Sequence, residues 1–188
     1  MFREPFVVTL TSTSTRNEGL QLSVALKTAV LTVSDTRTPD TDTSGAFLEE
    51  ALLAAGHEVM DRRIVIDDIY RLRAVVSAWI ADPDVEVVLT TGGTGFSGRD
   101  STPEAMAPLF DKIIEGFGES FRALSFTEIG SSTVQSRALA GLANGTVIFC
   151  MPGSTASAIR WAPERRAPAS TITAVLVRSP PTPLWRLC

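Results

Sequence analysis

The segment Thr90-Thr-Gly-Gly-Thr-Gly-Phe-Ser-Gly-Arg-Asp100 sets glycines at 92, 93, 95 and 98 among three threonines and closes on a carboxylate. Such a turn leaves its main chain bare, so several N–H groups can point at one anion. Gly93-Thr-Gly95-Phe-Ser-Gly98 has the formal spacing of a dinucleotide fingerprint. That motif needs its third glycine in the opening turn of a helix, whereas here Arg99-Asp-Ser-Thr-Pro103 intervenes. The interval from Gly93 to Gly98 suits a P-loop, but Arg99-Asp100 stands where Lys-Ser/Thr is required. With both nucleotide motifs excluded, two readings remain: a site for a phosphate-bearing small molecule on Gly92–Asp100, or a tight turn without a ligand.

Two aspartates bear on that choice. Asp67 ends a predicted strand and Asp100 precedes a predicted helix, so both fall at the same sheet edge. One or two carboxylates plus substrate phosphates are a common Mg²⁺ environment. The competing role for each is helix capping, by Asp100 ahead of Ser101 and by Asp67 or Asp68 ahead of Ile69. Asp35 could join them or shape its own loop. His57 is the sole histidine, and no Ser or Cys has a neighbouring base in sequence, which disfavours nucleophilic hydrolysis. Cys150 lies inside an apolar run and reads as a buried strand residue. With Cys188 as the second cysteine, neither a disulfide framework nor a metal-ligand spacing arises.

These residues need a scaffold, and the apolar pattern supplies one. Thr28–Ser34 is a continuous strand-type run followed by a polar loop, Asp35 to Thr43. Phe47, Leu48, Ala51, Leu52 and Ala55 recur at helical spacing before Gly56, which suits a helix C-terminus. A second strand is predicted over Glu58–Ile66, then a helix capped by Asp68 with Ile69, Leu72, Val75, Val76, Trp79 and Ile80 on one face. A third strand, Val85–Thr90, leads into the glycine loop. The helix after Asp100 opens either with a Ser101–Glu104 capping box or with Thr102 as cap and Pro103 first. Helical material follows over Phe117–Glu128, and Asn144-Gly145 turns into a last strand, Thr146–Met151, that ends at Pro152-Gly-Ser154. Alternation of this kind predicts an α/β three-layer sandwich: a mainly parallel sheet with helices on both faces. Ligands in such folds bind beyond the carboxyl ends of the strands. Ser34–Thr43, Asp67-Asp68, Gly92–Asp100 and Pro152–Ser154 are therefore expected to converge.

At 188 residues, 44% hydrophobic and 20% charged, the chain suffices for one core. No apolar run approaches the ~20 residues of a membrane span, and no secretory signal is evident, so a cytoplasmic protein without membrane contact is expected. Residues 1–155 hold 12 basic and 20 acidic side chains, whereas 156–188 hold 5 and 1. An acidic body argues against nucleic-acid binding by bulk charge, and it means that backbone amides or a bound cation must hold any phosphate. Residues 1–27 read as an irregular leader. Residues 156–188, with 5 of the 11 prolines and no glycine, read as an atypical Pro/Arg-rich tail containing one strand-like piece, Ser170–Val177.

Thr90-Thr-Gly-Gly-Thr-Gly95, Arg99-Asp-x-Thr-Pro-Glu-Ala105, Gly116-Phe-Gly-Glu119, Ser136-Arg137 and Pro152-Gly-Ser154 together resemble the MoaB/MogA family of molybdenum-cofactor biosynthesis. Leu31-Thr-Val-Ser-Asp-Thr-Arg37, Asp42-Thr-Ser-Gly45 and Ala54-Ala-Gly-His57 resemble its MoaB branch, and the likeness covers about residues 28–155. The resemblance implies a molybdopterin-binding fold and a pterin-phosphate site. It also implies adenylyl transfer from Mg-ATP to the molybdopterin phosphate, or else molybdopterin binding without transfer, as a scaffold of the same pathway. By position it gives Asp67 and Asp100 to catalysis and Mg²⁺. Ser34, Asp35, Thr91, Gly92, Gly93, Thr94, Gly95, Pro152, Gly153 and Ser154 go to the pterin and nucleotide pockets. It further implies a homotrimer or homohexamer, and contact with other proteins of the pathway.

Overall fold

The computed structural model describes residues 25–153. The leader up to residue 24, Ser154 and the tail 156–188, with its strand-like piece, lie outside the described residues. Six strands form one mixed sheet: β1 (Lys27–Val33), β2 (Glu58–Val65), β3 (Val87–Thr91), β4 (Lys112–Ile113), β5 (Leu139–Ala143) and β6 (Thr146–Met151). Their order is β2-β1-β3-β6-β5-β4. The first four in that order run parallel, and β5 and β4 continue antiparallel. The α-helices are α1 (Thr43–Ala54), α2 (Ile69–Ala81), α3 (Thr102–Met106) and α4 (Glu115–Ile129), followed by a 3-10 turn, Gly130–Gln135.

Alternation along the central strands sends successive side chains to opposite faces, and each face has its own core. On one, Val30, Leu89, Phe149 and Met151 meet Leu48 and Leu52 of α1 and Phe117 and Phe121 of α4. On the other, Leu31, Val88, Ile148 and Cys150 meet Leu72, Val76 and Trp79 of α2 and Met106 of α3. The three-layer arrangement is thus present, and Cys150 is fully buried, its thiol pushed up to about 12 by desolvation.

Several expectations need correction. Lys27 begins β1 and Leu26 is 8% exposed, so the leader does not reach residue 27. The antiparallel pair β4 and β5 was not anticipated; Asn144-Gly145, both at positive φ, closes a β5–β6 hairpin. The Ser101 start of α3 holds in position but without the capping-box bond, and Thr102 is not the cap. Ser101 occupies the cap position, but its hydroxyl donates to Asp67 and does not cap, and the Thr102 hydroxyl donates to Gly92 O at 2.9 Å.

The α1 entry is fixed by Asp42. Its carboxylate accepts from Gly45 N at 2.9 Å, Thr32 Oγ1 at 2.8 Å and Arg62 Nη2 at 2.8 Å, although the residue is 2% exposed. Burial alone would raise its pKa; the bonds from Arg62, Gly45 and Thr32 outweigh it and hold the carboxyl below its ordinary 3.8. A depressed carboxyl contributes stability that is present above the ordinary value and lost as pH falls through the folded one. Asp42→Ala removes a cap and one of the two carboxylates bonded to half-buried Arg62, which keeps Glu49 Oε2 at 2.7 Å. We expect a loss of about 3 kcal/mol in urea unfolding at neutral pH, and a smaller difference from wild type below about pH 4.

Candidate functional site

β1 has β2 on one side and β3 on the other, so the loops after β1 and β3 open a crevice at the switch point. The four expected loops do meet there. Ser34 N donates to Val65 O, Asp67 N to Asp35 Oδ1, and Gly92 N to Met151 O. Thr91 Oγ1 donates to Pro152 O at 3.2 Å, and Ser44 Oγ to Gly153 O at 3.3 Å.

A cavity of about 560 Å³ opens against the glycine loop. One wall is Gly92, Gly93, Thr94, Gly95 and Asp100, with Pro152 and Gly153 beside it. The opposite wall comes from α4 and the 3-10 turn: Phe121, Ser125, Ser132, Gln135 and Ser136. Sequence reasoning named the first wall and missed the second; Ser136 entered only as part of a motif, without a role. Yet Ser136 Oγ is buried with no hydrogen-bond partner among the described residues. An unpaired buried hydroxyl costs about 1–3 kcal/mol, which a polar ligand group would recover.

The remaining predicted residues sit elsewhere. Thr91 is buried at the end of β3 and ties it to the Pro152 turn without lining the cavity. Ser34 and Asp35 line a second cavity, about 580 Å³, with Arg37, Glu49 and Arg62. Asp67 does not line the first cavity beside Asp100 but stands behind the loop. Its Oδ1 accepts from Ser101 N at 3.0 Å and from the Ser101 hydroxyl, so it holds the start of α3.

Both carboxylates nevertheless pack against the loop's bare main chain. A methyl group on Gly93 would sit 2.6 Å from Asp67 Oδ2, and one on Gly95 would sit 2.7 Å from Asp100 Oδ2. Burial pushes the Asp67 carboxyl above its ordinary 3.8, the Ser101 bonds pull it back, and the charges of Asp100 and Asp35 push it up again. A nearby cation would relieve that repulsion, and one or two carboxylates with substrate oxygens are a common Mg²⁺ environment. Among the described residues no group of three or more His, Cys, Asp or Glu side chains comes together to hold a metal unaided.

The raised pKa has a consequence for stability. Ionising Asp67 costs the folded state free energy as pH rises past 3.8, and the full cost persists above the raised value. Asp67→Asn keeps an oxygen for Ser101 and removes the charge. Its melting temperature at pH 7 is expected to equal the wild-type value or exceed it by about 2 °C. A clear fall in thermal unfolding would show that the charge stabilises the fold.

Residues 29–164 match the family described as a probable molybdopterin binding domain. Molybdenum cofactor biosynthesis protein B of Escherichia coli (strain K12) is 58% identical over 132 residues, 70% of this chain and 78% of that protein. The chain belongs to the molybdenum-cofactor biosynthesis family. A crystal structure of molybdenum cofactor biosynthesis protein B shares the fold of this family member with a TM-score of 0.76 at 43% identity, covering 84% of this chain and 99% of that one. A structure of MogA gives a TM-score of 0.71 at 26% identity, covering 80% and 97%. In this member of the molybdenum-cofactor family the glycine loop, Asp100 and the Pro152 turn thus sit on the family's shared fold. Within the described residues no helix is long and apolar enough to cross a membrane.

Proposed function

We propose that the cavity binds molybdopterin and that the protein transfers an adenylyl group from Mg-ATP to its phosphate. In that reaction a molybdopterin phosphate oxygen attacks the α-phosphorus of ATP, the α–β bridging bond breaks, and pyrophosphate leaves. The observation that carries this reading is the cavity in which the partly buried glycine turn and Asp100 face Phe121, Ser125, Ser132 and an unpaired Ser136 hydroxyl.

Little covalent chemistry is required of the protein. The amides of Gly93–Gly95 would orient the phosphates, and the α4 wall would orient the heterocycle. A Mg²⁺ held by Asp67 and Asp100 would offset phosphate charge as the transition state forms. Ser34 and Asp35, in the adjoining cavity, suit the nucleotide. On this reading the protein assembles as a homotrimer or homohexamer and works in the cytoplasm, and exposed Phe126, Ile129 and Val134 are apolar surface that a second copy could cover.

A second reading, molybdopterin binding without transfer, is favoured by Asp67, whose carboxylate is bonded to Ser101 and does not line the cavity beside Asp100. One experiment separates them: purified protein with molybdopterin and Mg-ATP, pyrophosphate followed over time, and molybdopterin affinity and molar mass measured on the same preparation. Steady pyrophosphate release supports transfer. Retained affinity with none supports the binding protein, and loss of both overturns the proposal.

A further inference from the structure

Arg137 follows the 3-10 turn and reaches back across the cavity's edge to the glycine loop. Its Nε donates to Thr94 O at 3.3 Å, its Nη2 donates to Asp100 O at 2.8 Å, and its Nη1 bonds Glu104 Oε1. Its guanidinium carbon also lies 5.4 Å from the centre of the Phe96 ring. One side chain therefore touches the loop near its start, at its tip, at its end and in the following helix.

The loop's own bonds are few. Ser97 N donates to Asp100 Oδ2 at 2.8 Å, Asp100 N to Ser97 O at 3.0 Å, and Arg99 N to Ser97 Oγ at 3.3 Å. These close the turn Ser97–Asp100 on itself but do not tie it to the wall opposite. Two glycines, 95 and 98, remove side-chain restraint from the same stretch. Arg99 Nη2, 3.0 Å from Asp35 Oδ2, ties the turn to the loop after β1, and Ser101 N is held by Asp67 Oδ1; the tie to the wall opposite comes from Arg137, which is anchored beside Ser136, a cavity residue.

We infer that Arg137 is a positioning residue: its planar fork clamps the Thr94–Glu104 segment and thereby sets where Asp100 sits, without touching substrate. All three of its nitrogens are engaged by the protein. A guanidinium can meet three acceptors in fixed directions at once, whereas an ammonium is a point donor on a flexible stem. Lysine at this position should therefore hold at most part of the loop. This role in catalysis rests on the adenylyl-transfer reading; the clamp itself does not.

The test uses the full chain with Arg137→Gln and Arg137→Lys. Amide hydrogen exchange is followed at residues 94–100 and, as an internal reference, in β1 and β6. Pyrophosphate release is measured with kcat and KM for Mg-ATP separated, alongside molybdopterin affinity. We expect exchange across 94–100 to quicken by about tenfold or more in both variants while the strands stay protected. We expect kcat to fall by about 10- to 100-fold, the scale of a small misplacement of a reacting group, with KM and pterin affinity changed by less than about threefold. Unchanged exchange at 94–100, or full activity in Arg137→Lys, would overturn the clamp. Exchange that quickens equally in β1 and β6 would also overturn it, by showing a general structural role. If the wild type itself releases no pyrophosphate, the functional proposal fails, and the exchange experiment still decides whether Arg137 holds the loop.

Discussion

Asp100→Asn is expected to slow pyrophosphate release by at least about 100-fold while leaving molybdopterin affinity within about threefold of wild type. The asymmetry follows from where the residue stands. Asp100 lines the cavity, and its Oδ2 already accepts from Ser97 N at 2.8 Å, a bond that an asparagine oxygen can keep. The turn should survive the change, as should the main-chain amides available to a ground-state phosphate. What disappears is one of the two negative charges that could share a cation with the triphosphate, and that loss is felt most where charge develops. Single-turnover assays across a Mg²⁺ series would check it. If extra Mg²⁺ partly restores the rate, the carboxylate acts through the metal; a rate equal to wild type removes Asp100 from the mechanism. Read with Asp67→Asn, the result also locates the shared charge. Asp67 stands behind the loop, bonded to Ser101, so its removal should affect rate without lowering the melting temperature.

The scaffold was legible where local and tertiary demands agree. β1, β3 and β6 are apolar runs because both of their faces are covered, and α2 carries its buried face at Leu72, Val76 and Trp79 with Asp68 as its cap. β5 was hidden because Leu139-Ala-Gly-Leu-Ala143 has weak strand propensity, and its small residues answer to a distant neighbour. A side chain on Gly141 would sit 2.2 Å from the Phe110 ring, so the glycine serves packing that no local pattern reveals. β4, at two residues, is too short to leave any period. The site divides in the same way. The glycine loop announces itself because bare backbone has few other uses at such density. Ser125, Ser132, Gln135 and Ser136 are ordinary polar residues of a helix and a turn, and only the folding of that wall over the loop makes them a surface. Asp67 lies at the expected sheet edge, but its side chain is bonded to Ser101 and does not line the cavity. Strand ends fix position along the sheet, and only the bond to Ser101 fixes the direction of the side chain.

Gly92→Ala is expected to cost about 2–4 kcal/mol of unfolding free energy and to abolish molybdopterin binding, whereas Gly98→Ala, six residues on in the same loop, should be nearly silent. Gly92 has φ +109°, a region that side-chain-bearing residues rarely enter, and a methyl group there would lie 2.2 Å from Val33 O. That oxygen belongs to the end of β1, so relief cannot come from turning a side chain; β1, β3 or the loop must move. Gly92 N is also bonded to Met151 O at 3.0 Å, and Gly92 O accepts from Thr102 Oγ1 at 2.9 Å. The residue is thus held by β6 on one side and by the start of α3 on the other. Displacing it shifts the amides of Gly93–Gly95 and the Pro152–Gly153 turn together, since the two main chains are so close that a methyl group on Gly153 would sit 3.0 Å from the Gly92 α-carbon. At Gly98 a methyl group meets nothing within 4 Å, and the change should alter stability by about 0.5 kcal/mol or less in either direction. Urea unfolding and pterin titration of the two variants make the comparison. Equal behaviour would mean that the loop's glycines serve chain flexibility in general. The expected contrast would mean that position 92 is where the ends of three strands and the glycine turn are forced into contact.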